Sequence, residues 1–345
     1  MNVDTIVDAP ATDRPAAAAL LEVTDLTVRF RLGGRVVRAV SGVSYALEEG
    51  QTVAIVGESG SGKTVSARAI MGLLPPTAEV GGSVRFRGEE LVGLSERGWR
   101  RHRGPDLAMV FQDPARSLNP TMRVGAQVTE AVRTHADLSR SAARERALEL
   151  LALVRLPSVR ERYDQYPHEL SGGMRQRVMI AIALASDPNV LIADEATTAL
   201  DVTTQAQIMG LLKDLQQELR MALVMITHDM ALAARYSDEI LVMYAGKVVE
   251  YAPTSAFFVG GGRMPYTRAL LEAVPDMSRP AHSLFPVVPG RPPDLTSLPT
   301  GCSFSPRCPC AQDDCREVIP ELVEHEAQHG WACLHPLAPT GGPGV

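Results

Sequence analysis

Between a short apolar run, Thr52 to Val56, and an amphipathic stretch, Lys63 to Leu73, lies the segment Gly57-Glu58-Ser59-Gly60-Ser61-Gly62-Lys63-Thr64. It fits the pattern GxxxxGK[ST], which functions only when a strand precedes it and a helix follows it. Val65, Ala69, Ile70 and Leu73 recur at helical spacing, so both flanks are met. The glycines let successive backbone N–H groups curl around oxyanions, and the helix N-terminus adds partial positive charge at the same point. Gly57, Glu58, Ser59, Gly60, Ser61 and Gly62 are therefore candidates to cradle a triphosphate. Lys63 would neutralise its β- and γ-phosphates, and the Thr64 hydroxyl would bind Mg²⁺. The bland alternative, a flexible loop matching by chance, has no use for the flanking strand and helix.

The remaining apolar runs fit that start. Val190 to Ala193, Ala222 to Ile226 and Glu239 to Met243 are short and separated by helical stretches, the alternation that builds a parallel sheet covered on both faces. Val190-Leu191-Ile192-Ala193 runs into Asp194-Glu195, which places two carboxylates at the C-terminal edge of the sheet beside the glycine loop. Asp194 can hold Mg²⁺ through its water shell, and Glu195 can orient and deprotonate an attacking water. Such a pair alone also serves as a helix cap. Leu21 to Phe30 and Val36 to Leu47, with Gly33-Gly34 between them, predict an antiparallel hairpin. From Ala115 to about Leu170 strand signals vanish, while Leu148, Leu151 and Val154 form one helical stripe. The fold class is α/β.

A formal charge of -6 excludes a binder that grips nucleic acid through a basic surface, so no nucleic-acid partner is expected. The basic run Arg97 to Arg103 reads as a solvated face. Residues 1–20 carry Asp4, Asp8 and Asp13 without a basic start and apolar core, so they read as a disordered tail rather than a signal peptide. No apolar run approaches the roughly 20 residues that span a bilayer. A membrane role would pass through partner chains.

Leu170-Ser171-Gly172-Gly173-Met174, followed by Arg175-Gln176-Arg177, resembles the signature motif of ATP-binding cassette (ABC) proteins, upstream of the acidic strand as in that family. Ser171, Gly172 and Gly173 would offer a second helix N-terminus to phosphate, although Ser171 could equally be a plain N-cap. Gln112 after Leu107 to Phe111, the loop Ala199-Leu200-Asp201, and His228 after Ile226 follow in the family's order. The resemblance implies that Gln112 contacts Mg²⁺ and the attacking water, that Asp201 lines a dimer contact, and that His228 holds the γ-phosphate. Glu195, His228 and Gln112 are then the catalytic set. Phe30 is the candidate for stacking on adenine, with Tyr45 and simple core packing as competitors. The resemblance further implies a P-loop ABC ATPase fold, with a parallel-sheet core, an antiparallel β subdomain and a helical insert. It also implies head-to-tail pairing that closes each ATP between one phosphate loop and the partner's signature.

Over Leu21 to His335 the chain is similar to ATP-binding subunits of the dipeptide, oligopeptide and nickel importers. The similarity rests on Ser171 to Ala185, Leu191 to Ile208, Pro265 to Pro275 and the CxFxPRC start at Cys302. Ala196 stands where the family usually has proline. Two transmembrane permeases, a second ABC ATPase subunit and an extracytoplasmic substrate-binding protein are the implied partners, at the cytoplasmic face of the cell membrane. The implied activity is ATP hydrolysis that energises import of short peptides. A nickel or other small-solute importer is the alternative, with a soluble ABC ATPase of nucleic-acid metabolism further off. The expected division is a nucleotide-binding domain at 21–263 with a helical subdomain at about 115–187, a helix and proline-rich linker at 264–300, and a Cys-rich, loop-rich region at 301–345.

All five cysteines fall in that last region. Cys302, Cys308, Cys315 and Cys333 read as a four-thiolate set, with Cys310 as the spare thiol and an exchange of roles between Cys310 and Cys308 left open. A loop-rich tail with little core needs a cross-link, and a reducing compartment disfavours disulfides. The spacing lacks the CxxC pairs of zinc ribbons, and the family resemblance implies a 4Fe-4S cluster. Zn²⁺ is the alternative, with His325, His329 and His335 as substitute ligands and the first two at i, i+4 on a helix face. Free or disulfide-bonded cysteines are the third reading.

Overall fold

The computed structural model describes residues 19–197, 200–274 and 287–340. Residues 1–18 of the N-terminal tail, Thr198 and Ala199, the first part of the proline-rich stretch at 275–286, and residues 341–345 therefore lie outside the described residues. Strands β1 (Leu21–Leu32) and β2 (Arg35–Leu47) form the expected hairpin. Strand β3 (Thr52–Val56) runs into the glycine loop, and α1 (Lys63–Ile70) leaves it. This helix stops before Leu73. The chain turns at Met71, whose N–H reaches Ala67 O, and Leu73 is left on the exposed side.

Strands β4 (Ala78–Phe86) and β5 (Glu89–Glu90) add to the hairpin, giving an antiparallel sheet in the order β2-β1-β4-β5. They have no clear sequence signal because β4 carries Gly81-Gly82 and buries only Val84 and Phe86. Helix α2 (Glu96–His102) precedes β6 (Leu107–Val110). Within the basic run, Arg97, Arg100 and Arg101 are exposed, but Arg103 turns inward and donates to the carbonyls of Met71 (2.9 Å) and Gly72 (2.6 Å).

The helical part comprises α3 (Pro114–Ser117), α4 (Val124–His135), α5 (Arg140–Leu153), α6 (Val159–Tyr163) and α7 (Gly172–Ala183). Leu148, Leu151 and Val154 are all buried in it. Then β7 (Val190–Asp194), α8 (Val202–Leu219), β8 (Ala222–Thr227), α9 (Met230–Tyr236) and β9 (Glu239–Tyr244) alternate. Strand β10 (Lys247–Pro253), α10 (Thr254–Gly260), α11 (Pro265–Glu272), β11 (Val323–Glu326) and β12 (His329–Trp331) follow.

The large sheet has the order β11-β12-β10-β9-β3-β8-β7-β6, parallel from β9 to β6. Strands β3, β6, β7 and β8 are buried along their whole length, which explains their unbroken apolar sequences. Side-chain alternation assigns them to two cores. Val53, Ile55, Val190 and Ile192 face the cluster shared with the antiparallel sheet. Ala54, Val56, Leu191 and Ala193 face the cluster shared with the helical part.

The tail is less separate than its sequence implies. Strand β12 pairs with β10 through Glu250 opposite Trp331 and Tyr251 opposite Gly330, so the end of the chain extends the central sheet. Gly330 is required there, since a Cβ would lie 2.3 Å from the Tyr251 ring. His325 and His329 sit on the two strands of this hairpin instead of one helix. Both are engaged elsewhere. His325 stacks on Trp331, and the Nε2 of buried His329 lies 2.8 Å from Glu250 Oε1.

Glu250 is fully buried and also accepts from the N–H groups of Arg263 (2.7 Å) and Met264 (2.9 Å). One carboxylate thus ties β10 to the start of α11 and to β12. Replacing it by alanine leaves those buried donors unpaired, at a cost of about 3 kcal/mol. Glu250→Ala should unfold at clearly lower denaturant than wild type when followed by tryptophan fluorescence, with Glu250→Gln between them. An unchanged midpoint would show that this carboxylate does not hold the hairpin.

Candidate functional site

The glycine loop is held against β2. At Gly62, φ is 103° and a Cβ would lie 2.4 Å from Ala39 O, so only glycine allows the close approach that aims the first turn of α1 outward. That helix has no side-chain cap, so its first N–H groups remain available to an anion. Lys63 is buried, and its Nζ donates to Gly57 O (2.7 Å) and Glu58 O (2.9 Å). Burial holds its ammonium below the ordinary lysine value, opposed by the charges of Glu195, Asp194 and Glu58. Ser61 Oγ is buried without a hydrogen-bond partner among the described residues, as suits a hydroxyl facing a ligand oxygen.

The acids arrive from β7. Thr64 Oγ1 donates to Asp194 Oδ1 at 2.8 Å, while Asp194 Oδ2 is buried without a hydrogen-bond partner among the described residues. Burial, ahead of the opposing hydrogen bond from Thr64, holds this carboxyl above the usual range. An unsatisfied buried carboxylate oxygen beside a hydroxyl fits a hydrated divalent cation such as Mg²⁺. Glu195, the next residue, adopts a φ of 46°, and its N–H reaches Ile226 O on β8 at 3.0 Å. That turn points its side chain at two partners from other strands. Gln112 Nε2 donates to Glu195 Oε2 at 2.7 Å, and His228 Nδ1 lies 3.8 Å from Glu195 Oε1. The Glu195 carboxylate holds the His228 imidazole above its ordinary value, against a lesser effect of burial. Lys63, Thr64, Asp194, Glu195, Gln112 and His228 therefore meet at one sheet edge, with groups able to bind phosphate, hold a cation and take a proton from water.

Other candidates lie apart from that edge. Ser171 caps α7 by accepting from Met174 N at 3.3 Å, and Gly172, Gly173, Leu200, Asp201 and Thr204 line the same surface pocket. No residue of the Gly57 to Thr64 loop lines it. Asp201 caps α8, accepting from Thr204 N and Oγ1. Phe30 lies on β1 between Val37 and Ala78, packed on the core of the antiparallel sheet. Tyr45 packs on the same core with its hydroxyl buried.

Cys302, Cys308, Cys310, Cys315 and Cys333 line one pocket with Phe304, Met264 and His335. Burial raises the thiols of Cys302 and Cys308, and pushes Cys333 up to about 12. Among the described residues, the group of metal-ligating atoms lying within 4.8 Å of one another is Asp314, Cys315 and His335. No three cysteine sulfurs meet that limit, whereas a tetrahedral zinc with four thiolates needs sulfurs about 3.8 Å apart.

The sequence gives no direct signal for the contacts that tie this pocket to the glycine loop. Arg307, in the turn between Cys302 and Cys308, donates to Glu58 Oε2 (2.6 Å) and Oε1 (2.9 Å). Tyr266 on α11 accepts from Glu58 N at 2.9 Å. Separations of 249 and 208 residues hide both pairings. The only hint is a charged residue inside the cysteine motif. The described part of the proline-rich segment also comes back, with Pro292, Pro293 and Leu295 against Glu58 to Ser61.

Comparison with known proteins agrees with this geometry. The model of the ABC transporter family matches residues 40–198, and that of the oligopeptide/dipeptide transporter C-terminal region matches 249–315. The chain is 48% identical over 323 residues to the oligopeptide transport ATP-binding protein OppD of Mycobacterium tuberculosis, covering 93% of this chain but only about half, 53%, of that protein. It is 49% identical to a probable peptide ABC transporter ATP-binding protein of Sinorhizobium fredii, covering 92% of this chain and 96% of that one. The solved dimer of the ATP-binding cassette MJ0796, bound to ADP and Pi, superposes with a TM-score of 0.61 at 30% identity, covering 68% of this chain and 98% of that one. No described helix is long and apolar enough to cross a membrane. The chain belongs to the ABC transporter family, among its ATP-binding proteins that carry the oligopeptide/dipeptide transporter C-terminal region.

Proposed function

We propose that the chain binds and hydrolyses ATP as the energising subunit of a membrane importer for short peptides. The observation that carries this is the meeting of Lys63, Thr64 and Asp194 with Glu195, Gln112 and His228 at one sheet edge. Lys63 and the loop amides would hold the phosphates, and Thr64 with Asp194 would hold Mg²⁺, which would supply neutralisation of the phosphate charge. Glu195 takes the proton of the attacking water, Gln112 keeps that carboxylate aligned, and His228 donates to the γ-phosphate. Ser171, Gly172 and Gly173 open onto a separate pocket, so they serve the ATP of a second ABC subunit, with Asp201 at the contact. Two permeases and an extracytoplasmic binding protein complete the assembly. Peptide cargo is favoured over nickel by the names of the relatives, which are peptide transport proteins.

All five cysteines line one pocket, and no three of their sulfurs lie within 4.8 Å of one another, wider than a zinc set. That favours a 4Fe-4S cluster held by Cys302, Cys308, Cys315 and Cys333. Burial raises the thiols of Cys302, Cys308 and Cys333, and binding of a metal group would deprotonate them.

Glu195→Gln should cut steady-state ATP hydrolysis by the assembled transporter by about a hundredfold or more while MgATP binding persists. In the same variant the His228 imidazole should titrate at lower pH, because the carboxylate that raises it is gone; NMR of the ring protons reads this shift. Full turnover in Glu195→Gln would remove the residue from its role as base. For the tail, anaerobic purification should give brown protein containing iron and acid-labile sulfide, lost in Cys315→Ser. Stoichiometric zinc without iron would reject the cluster.

A further inference from the structure

We propose that Arg307 is a positioning residue for the phosphate loop, holding Glu58 in a bidentate ion pair so that its charge is cancelled and turned away from the bound triphosphate. This inference rests on the ATP-binding reading above and deepens it.

The geometry is that of a built clamp. The Arg307 side chain is only 5% exposed and spends its donors on both Glu58 oxygens, on Tyr244 Oη (3.3 Å) and on the carbonyl of Pro289 (2.6 Å). Its guanidinium also lies 5.8 Å from the centres of the Tyr244 and Phe304 rings. Those rings and Tyr266 pack on one another with centroids 4.6 to 5.3 Å apart, giving the arginine a rigid wall. Glu58 is thereby fixed at three points. Arg307 holds its carboxylate, Tyr266 accepts from its N–H, and its carbonyl accepts from Lys63 Nζ.

Electrostatics give the clamp a purpose. Glu58 lies inside a loop whose task is to attract several negative charges, and its own charge acts on Lys63. A free carboxylate there would oppose triphosphate binding and compete for the lysine. Pairing with a planar, always-charged fork removes that opposition and fixes the direction of the side chain. Arg307 belongs to the turn between Cys302 and Cys308, so its ion pair links the cysteine pocket to the phosphate loop, beside the Tyr266 contact.

The full-length chain can be titrated with a fluorescent ATP analogue and Mg²⁺. Arg307→Ala should weaken binding about tenfold. Adding Glu58→Gln should bring affinity back to within about threefold of wild type, because the unopposed charge is gone. A merely structural loss would not be rescued by that second change, and the melting temperature of both variants should stay low. If Arg307→Ala does not fold, Arg307→Gln reads the same comparison. Affinity unchanged in the arginine variant, or a double variant as weak as the single one, would overturn the role of Arg307. Wild-type chain that binds no MgATP would instead refute the ATP reading itself.

Discussion

The parallel register of β3, β8 and β7 is the constraint on which the rest depends. Val56 lies opposite Thr227, and Asp194 opposite Ile226, so three separate chain segments end at one edge. Each segment then continues into a chemical group: the loop bearing Lys63 and Thr64, the pair Asp194-Glu195, and His228. A slip of one residue would reverse every side chain and bury the wrong face. The alternation of Val53, Ile55, Val190 and Ile192 toward one core, and of Ala54, Val56, Leu191 and Ala193 toward the other, makes that slip costly. The two hydrophobic cores thus hold the polar edge in register.

Burial at that edge does chemical work of its own. Lys63 and Asp194 are both pushed toward neutrality by desolvation, and each is drawn back by the other's charge. Among the described residues, one oxygen each of Ser61 and Asp194 in this cluster is buried without a hydrogen-bond partner. A polyanion with a divalent cation supplies the missing partners on both sides of the balance. The strained turn at Glu195, with its positive φ, belongs to the same logic, since it turns the carboxylate toward Gln112 and His228 and away from its own strand.

The central sheet and the groups at its edge were legible because each leaves a local mark. A glycine pattern between strand and helix, an apolar run ending in acids and a serine ahead of two glycines are all written in consecutive residues. Strand β4 was not legible, because a glycine pair and an exposed face leave it no apolar pattern. Nor was the β11–β12 hairpin, whose first strand is exposed throughout and whose pairing with β10 spans most of the last hundred residues. The spacing of His325 and His329 fits a helix face, but pairing across the hairpin overrode it. Arg307 against Glu58 has no local signal at all, since its cause is the aromatic wall of Tyr244, Tyr266 and Phe304 assembled from three distant segments.

The position of Ser171 bears on how such a chain can use ATP. Its helix start carries glycines like that of α1 but is capped by Ser171, which accepts from Met174 N, and it opens onto a pocket lined by Asp201 and Thr204 and by none of the phosphate loop. Two anion-ready helix ends in one molecule that do not converge are poor economy if the chain acts alone. They would become complementary in the pairing proposed above, with a second cassette's phosphate loop turned toward Ser171, because each helix end would then meet a charge it can stabilise.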